Sequence, residues 1–264
     1  QMANEDGSLN DGISGNVPCV AVSQAVGETL AAAETKKLVI SSEDGPAPSE
    51  TAGQMSDFSS WGVTPSLELK PEITAIGGNM YSCYDDGQYG LMSGTSMSAP
   101  QLAGAAALVL QYLQAQYPDL ADAEERDIAT ALLMSTAKPV IASASGVEAS
   151  PRQQGAGLVN ALYAVTSEAY LTVDGSSRPK AELFDSEDGT YSFSFKIHNF
   201  GAAEKTYTLS SSLLAEDFVT MGGKDFMAGY DRALSGTVAF SQDTVTVAPG
   251  STASVTVTIT LSAE

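Results

Sequence analysis

The stretch that decides the fold is Gly94-Thr95-Ser96-Met97-Ser98-Ala99-Pro100, which runs directly into LAGAAALVL at residues 102–110. Ala, Leu and Val recur on nearly every side from Ser96 to about Gln116, a pattern that predicts a central, fully buried helix. Pro118 ends the periodic run. The hydroxyl of Ser96 is therefore expected at a helix N terminus, where unpaired N–H groups and the helix dipole favour a developing anion.

The residues around Ser96 suggest nucleophilic chemistry. A serine hydroxyl attacks an amide only when a base takes its proton and donors hold the oxyanion. We predict Ser96 as the nucleophile, its own backbone N–H as an oxyanion donor, and Thr95 as further oxyanion support. Gly94 leaves room for an approaching peptide, and Met97 lies beside the point of attack. The alternatives are that Thr95 or Ser96 only caps the helix and that Met97 only packs.

Longer segments carry a resemblance to a known family. GTSMSAP with the following helix resembles the serine motif of the subtilisin-like proteases (subtilases), and FSSWGVTPSLELKPEITAIGGNMYS at 58–82 is similar to the stretch before that serine in the lactocepin-like cell-envelope proteinases. That pattern usually has Asp where this chain has Glu72 and Pro where it has Ile76. ALLMSTAKPV and SPRQQGAGLVNALYAV, residues 131–140 and 150–165, resemble the family's closing helices. The resemblance implies a serine endopeptidase that acts on proteins or peptides through an acyl-enzyme on Ser96.

The resemblance also implies groups that this chain lacks. In subtilases the Asp and the His of the triad precede the Ser, yet residues 1–95 contain no histidine and the only one in the chain is His198. Its parity in an alternating strand predicts a solvent-facing side chain. The upstream aspartates do not resemble the family's aspartate motif; they are Asp6, Asp11, Asp44 and Asp57. Asn79 matches a structural position rather than the oxyanion asparagine.

Two explanations of the missing groups stay open. The preferred one is that a missing N-terminal half of the same protease supplies the catalytic Asp and His and the oxyanion Asn, so that this chain is a fragment and inactive alone. The start QMANEDGSLNDG shows no export signal, which fits a piece of a longer precursor. The alternative is a complete protein that uses a subtilase scaffold as a non-catalytic surface binding or adhesion module.

The C-terminal part changes character. In YSFSFKIHN at 191–199 and in TVTVAPGSTASVTVTITL at 244–261, apolar and polar residues alternate, which predicts half-buried strands. The predicted fold class is α/β: the C-terminal half of a subtilisin-like parallel-sheet domain over 37–168, then an all-β immunoglobulin or fibronectin type III-like sandwich over 169–264. Residues 1–36 resemble the tail of an inserted protease-associated domain. The β-module is expected to be an accessory spacer or exosite, or an independent adhesive module.

Further elements are predicted along the chain. VPCVAVS at 17–23 and the segment from Leu38 are expected to be strands, and GETLAAAETKK at 27–37 is expected to be helical. Helices are also predicted over 123–136 and 157–165, the first of them closed by Pro139.

Charge restricts the partners. The chain has 264 residues with 12 Lys and Arg against 32 Asp and Glu, a formal charge of -20. Such a surface repels nucleic acid and anionic lipid, and no run of 18 apolar residues predicts a membrane span. We therefore expect an extracellular or cell-surface protein whose acidic surface serves solubility.

No metal or cofactor is predicted for the chemistry. Cys19 and Cys83 show no metal-ligand spacing, and whether they pair as a disulfide stays open. Asp85 and Asp86 lie in an acidic loop without EF-hand spacing, so structural calcium is an alternative rather than an expectation.

Overall fold

A computed structural model describes residues 24–35 and 51–262. The chain divides into two compact units, residues 1–49 and 50–264. In the first, the described residues form helix α1, Gln24–Ala32, which begins and ends earlier than the helix predicted over 27–37. The strands predicted at 17–23 and from Leu38 lie outside the described residues.

The second unit contains the segments that bear on function. Its described helices are α2 (Thr95–Gln116), α3 (Asp122–Ser135), α4 (Pro151–Gln154) and α5 (Ala161–Thr166). Its described strands are β1 (Met80–Cys83), β2 (Tyr89–Met92), β3 (Ala169–Val173), β4 (Thr190–Asn199), β5 (Lys205–Thr208), β6 (Leu214–Met221), β7 (Lys224–Ala233), β8 (Gly236–Phe240), β9 (Thr244–Val247) and β10 (Ser251–Leu261). The predicted helix over 157–165 is shorter than expected and starts only at Ala161.

The helical core forms along one stripe of α2. Ala105, Val109 and Leu113 are buried at four-residue intervals, a spacing that places them on one helix face. They pack with buried residues of the neighbouring helices, which are Ala129, Leu132 and Leu133 of α3 and Ala164 of α5. This cluster holds α2, and with it the GTSMSAP segment, against α3 and α5.

The prediction that α2 is fully buried is wrong for the described residues. Ala103 and Ala107 are exposed, and Leu108 has 56% of its surface accessible. An apolar helix needs partners on all sides to be buried. The described residues cover α2 on one side only.

The C-terminal part forms the predicted sandwich. One sheet has the antiparallel order β3-β4-β10-β8, and β5 pairs with β9 in a second sheet. Ile197 of β4 and Val255 of β10 meet Val245 and Val247 of β9 in a shared core, so the two sheets face each other. Burial alternates along β9 and β10 as predicted.

The fold class is confirmed as a mixed α and β region followed by a β-rich part. In the described residues, the paired strands of the named sheets are antiparallel. Within the same residues, Thr74 and Leu158 form an isolated parallel bridge.

The helical region and the β-rich region are in direct contact. The guanidinium of Arg152 forms an ion pair with Glu216 of β6, and the N–H of Leu171 donates to the hydroxyl of Ser135 over 2.9 Å. The rings of Tyr117 and Phe200 pack edge to face with centroids 5.5 Å apart. Polar and aromatic contacts thus join the two regions.

Candidate active site

Ser96 is the second residue of α2, and its side chain is exposed. Gly94 occupies the N-cap position with φ of 152°. Because Gly94 is the cap, the alternative that Thr95 or Ser96 serves as the N-cap residue is excluded. The Ser96 hydroxyl is therefore exposed on the first turn of α2 and does not cap the helix.

The backbone around Ser96 suits an anion. The first turn of α2 contains no acidic residue, so none of its own carboxylates offsets the partial positive charge of the helix N terminus. The N–H of Met97 is engaged by the carbonyl of Gly94 over 3.0 Å. A Cβ at position 94 would stand 3.8 Å from the nitrogen of Ser96 and 3.8 Å from the sulfur of Met97. Glycine at this position leaves the approach to the Ser96 N–H open.

The loop before Ser96 is held by an extended segment, residues 72–77. The N–H of Gly94 donates to the carbonyl of Gly77 over 2.8 Å. The amide of Gln101 donates to the carbonyl of Ile76 over 2.8 Å and to that of Met97 over 3.1 Å. A side chain on Gly77 would collide with the hydroxyl of Ser98. The segment and the first turn of α2 are therefore in close backbone contact.

The other end of this segment is anchored to the turn after α4. The N–H of Ala156 donates to the carbonyl of Glu72 over 2.9 Å, and Thr74 exchanges bonds of 2.9 Å with Gly157 and Val159. Gly155 has φ of 63°, and a Cβ there would overlap the backbone of Glu72. Through these contacts, the segment at 150–165 holds part of the segment at 58–82 in position.

The β1–β2 hairpin leads from this segment to the Ser96 loop. The N–H of Asn79 donates to the hydroxyl of Ser93 over 2.8 Å, which ties the residue before β1 to the residue before Gly94. Tyr81 and Tyr89 stack across the hairpin with centroids 5.8 Å apart. Cys83 is exposed and forms no disulfide within the described part of the chain, and Cys19 lies outside the described residues.

His198 lies in the sandwich and is engaged there. Its Nε2 is 2.9 Å from the Thr172 hydroxyl and its Nδ1 is 3.1 Å from that of Thr252. The ring stacks on Tyr170 at 4.6 Å. As its parity predicts, His198 lies on the face of β4 opposite the core residue Ile197, and it is only partly exposed there because these three side chains lie against it. Burial, and secondarily the charge of Lys196, lower the pKa of His198.

The structure describes three of the carboxylates that were set aside from the sequence. Asp57 is exposed in a loop, and the other three upstream aspartates lie outside the described residues. Asp85 and Asp86 form a short 3₁₀ turn at the tip of the hairpin. Within residues 24–35 and 51–262, no group of three or more His, Cys, Asp or Glu side chains is arranged to hold a metal ion. In the same residues, no helix has the length and apolar character to cross a membrane.

The comparisons with known proteins identify the class. The model of the subtilase family matches residues 6–157, and that of an Fn3-like domain matches residues 181–264. The chain belongs to the subtilase family, the subtilisin-like serine peptidases. The family match covers the GTSMSAP segment and the 58–82 stretch that positions it.

Individual relatives agree with this assignment. The chain is 33% identical over 183 residues to a C5a peptidase of Streptococcus pyogenes, a match that covers 69% of this chain and 15% of that protein. It is 34% identical over 226 residues to a PI-type proteinase of Lactococcus lactis subsp. cremoris, covering 80% of this chain and 12% of the relative. The PII-type proteinase of the same organism matches equally. The chain therefore spans only a small part of the length of the curated relatives it matches.

Two positioning residues were missed from the sequence. Gln101 gave no signal, because an amide inside an apolar helix does not reveal which carbonyls it reaches. Gly77 was interpreted only as a turn residue, although two adjacent glycines also mark a close approach of two backbones. Glu72 was noted as a departure from the family pattern and given no role.

Proposed function

We propose that this chain carries the nucleophile-bearing part of a serine endopeptidase that hydrolyses peptide bonds of extracellular proteins, with Ser96 as the nucleophile. The observation that carries the proposal is the exposed Ser96 hydroxyl on the first turn of α2, in a chain of the subtilase family. The site residues are Ser96, with its N–H and Thr95 as oxyanion support.

The proposed reaction proceeds by acyl transfer. The Ser96 oxygen attacks the peptide carbonyl as its proton passes to a histidine, and the carbonyl oxygen becomes an oxyanion held by the Ser96 N–H. The imidazolium returns the proton to the leaving amine, which leaves an ester on Ser96. Water then attacks the ester, its proton passing through the same imidazole to Ser96. No cofactor enters these steps.

We propose that the histidine, its aspartate and the second oxyanion donor come from the remainder of the protease, outside these 264 residues. In support, the chain's only histidine, His198, is held in the sandwich by Thr172 and Thr252. The exposed Ala103 and Ala107 lie on the same side of α2 as Ser96, since they follow it by about two and about three helical turns. This apolar face beside the nucleophile is a surface that the remainder of a catalytic domain would cover.

The same proposal includes the location of the protein and the role of its Fn3-like region. The charge of -20 suits a secreted or surface-exposed protein. The ion pair of Arg152 with Glu216 and the bond from Leu171 to Ser135 favour an accessory region that packs against the catalytic domain over an independent adhesive module. We propose that this region stabilises the catalytic domain in the whole enzyme.

The test compares the whole protein with the 264-residue chain. Each is treated with a fluorophosphonate probe, the labelled residue is mapped by mass spectrometry, and hydrolysis of a fluorescently labelled unfolded protein is measured. We expect labelling at Ser96 and hydrolysis in the whole protein, and neither in the chain alone. Removal of triad members costs several orders of magnitude in rate.

Two variants of the whole protein complete the test. Ser96→Ala should abolish hydrolysis and labelling, whereas Ser60→Ala, which removes an exposed hydroxyl from a loop, should leave both intact. A whole protein that is folded yet neither labelled nor hydrolytic would instead support a non-catalytic binding module. Retained hydrolysis in Ser96→Ala would exclude Ser96 as the nucleophile.

A further inference from the structure

Three cationic side chains converge on one carboxylate oxygen in the segment that holds the Ser96 loop. Oε1 of Glu72 pairs with the ammonium of Lys70, lies 2.9 Å from a guanidinium nitrogen of Arg178 and lies 3.8 Å from the ammonium of Lys180. The Glu72 side chain is only 20% exposed. The chain has only 12 basic residues against 32 acidic ones. Composition alone would therefore not place three cations around one carboxylate.

Two of these cations come from the connection between β3 and β4. This connection includes residues 178–182, here called the strap. The ammonium of Lys180 donates to the carbonyl of Leu69 over 2.8 Å, and the N–H of Leu69 donates to Glu182 over 3.2 Å. Lys180 and Glu182 pair with each other at 2.9 Å. The strap is therefore fixed along the backbone just before Glu72, and Glu72 forms its second attachment.

The carboxylate of Glu72 is charged under neutral conditions. Burial alone would raise its pKa, but the hydrogen bond from Lys70 and the charges of Lys70, Lys180 and Arg178 outweigh it and hold the pKa of Glu72 below its usual value. The ion pairs are thus present at the pH at which extracellular proteins work.

The attachment connects to Ser96 through a short run of backbone. Glu72 is fixed at its carbonyl by Ala156 and at its side chain by the strap. Five residues later, the carbonyl of Gly77 accepts the N–H of Gly94, and the carbonyl of Ile76 accepts the amide of Gln101. Segment 72–77 is therefore a direct backbone connection from Glu72 to the residues that contact Gly94 and Gln101 at the start of α2.

The departure from the family pattern at this position now has a physical account. An aspartate carboxylate lies about 1.5 Å closer to the backbone than a glutamate carboxylate. From position 72 it would fall short of the 2.9 Å contact with Arg178. The longer side chain is what lets this segment reach the strap.

We propose that Glu72 is a positioning residue through which the strap, in the connection between β3 and β4, fixes the backbone that carries Ser96. The inference rests on the proposed function, because it concerns the rate of reaction at Ser96. Lys70 and Arg178 are partly exposed, with 41% and 45% of their side-chain surface accessible, so salt screens their attraction to Glu72. The rate at Ser96 should therefore fall as salt is raised.

The experiment uses the whole protein and its Glu72→Gln variant. The kcat and KM for a short fluorogenic peptide and the rate of fluorophosphonate labelling at Ser96 are measured between low and high NaCl. We expect Glu72→Gln to lower kcat and the labelling rate about three- to tenfold, as the loss of several partly exposed ion pairs would. The KM should stay within about twofold, and the dependence of the rate on NaCl should flatten.

Matched variants separate positioning from general stability. Asp174→Asn breaks an exposed ion pair with Lys196 in the same region and should leave kcat and its salt profile at wild-type values. Glu72→Asp keeps the charge but loses reach, and we expect a kcat between those of the wild type and Glu72→Gln. If Glu72→Gln fails to fold, Arg178→Gln is measured instead, because it leaves Lys70 and Lys180 on Glu72.

The outcomes distinguish this inference from the proposed function. An active wild-type protein whose Glu72→Gln or Arg178→Gln variant has the same kcat and the same salt profile overturns the inference and leaves Ser96 as the nucleophile. An equal loss in Asp174→Asn also overturns it, since the effect would then be general. A folded wild-type protein without labelling at Ser96 overturns both.

Discussion

The N–H of Gly94 donates to the carbonyl of Gly77 over 2.8 Å, two residues before Ser96. This bond joins the two segments that resemble the subtilase motifs, one ending near position 82 and the other starting at position 94. The first segment thus acts as a support for the second. The exposed Ser96 owes its place to this support as well as to the helix that it begins.

The conformation of Gly94 gives a first prediction. A residue with a side chain is strained at φ of 152°, so Gly94→Ala should distort the approach to Ser96 and lower fluorophosphonate labelling of the whole protein about tenfold, the equivalent of ~1.4 kcal/mol. Gly175→Ala is the control, because it also has a positive φ, 82°, and open space around it. Equal labelling rates in the two variants would contradict a special role for Gly94.

The amide of Gln101 gives a second prediction. Gln101→Leu removes the donors to Ile76 and Met97, each such bond being worth about 1 kcal/mol. We expect hydrogen–deuterium exchange in residues 94–98 to quicken about fivefold, and kcat to fall by a similar factor. Gln114→Leu, an exposed change on the same helix, should alter neither. Unchanged exchange in Gln101→Leu would show that the backbone holds the turn without this side chain.

Asp231 gives a third prediction, on pH. The residue is 3% exposed, and within the described part of the chain its Oδ1 has no hydrogen-bond partner. Burial raises the pKa of Asp231, against the opposing effects of a hydrogen bond from Ser150 and the charge of Arg152. The folded protein therefore binds this proton more tightly than the unfolded protein, so stability is greatest below the ordinary Asp pKa and falls as pH rises through the raised value.

The corresponding change is Asp231→Asn. We expect it to stabilise β7 at pH 8 by about 1 kcal/mol, with the difference from wild type shrinking toward pH 4. Protection factors of the β7 amides from hydrogen exchange, measured across that range, provide the test. Asp217→Asn, on the partly exposed pair with Arg232, is the comparison variant. A destabilised Asp231→Asn at pH 8 would mean that the charged form is the favoured one.

His198 gives a fourth prediction, in which stability changes with pH in the opposite direction. Because its pKa is lowered in the folded protein, the unfolded chain binds the proton more tightly, and stability present above the ordinary His pKa is lost as pH falls through the lowered value. Between pH 7.5 and 5.5, protection of the β3 and β4 amides should fall about two- to fivefold. His198→Gln should abolish this dependence, and Lys196→Gln should reduce it. An unchanged slope in His198→Gln would assign the dependence to another group.

Much of the local structure was predictable from the sequence. The helix expected from Ser96 to about Gln116 is observed as Thr95–Gln116, because the Gly94 start and the Pro118 stop are local signals. The strand alternation of β10 is observed as well, with Val255 and Val257 buried. Both succeed because backbone propensity and side-chain period act within a few residues.

Other features depended on what each element packs against. The two alternating strands about Pro249 and Gly250 belong to different sheets, since β9 pairs with β5 while β10 pairs with β4 and β8. A period of two reveals which side chains share a face, but not which strand lies beside it. For the same reason, α2 was wrongly expected to be buried on all sides.

By itself, then, the sequence determined the class of protein, the nucleophile candidate Ser96 and the start of the helix that presents it. Only the tertiary structure decided that Gly77 holds Gly94, that Glu72 meets Arg178, and that His198 lies against Thr172. Motifs are read from residues adjacent in the chain, whereas these contacts join residues far apart in it. These contacts form only when the whole backbone has folded, and a local sequence pattern does not determine that fold.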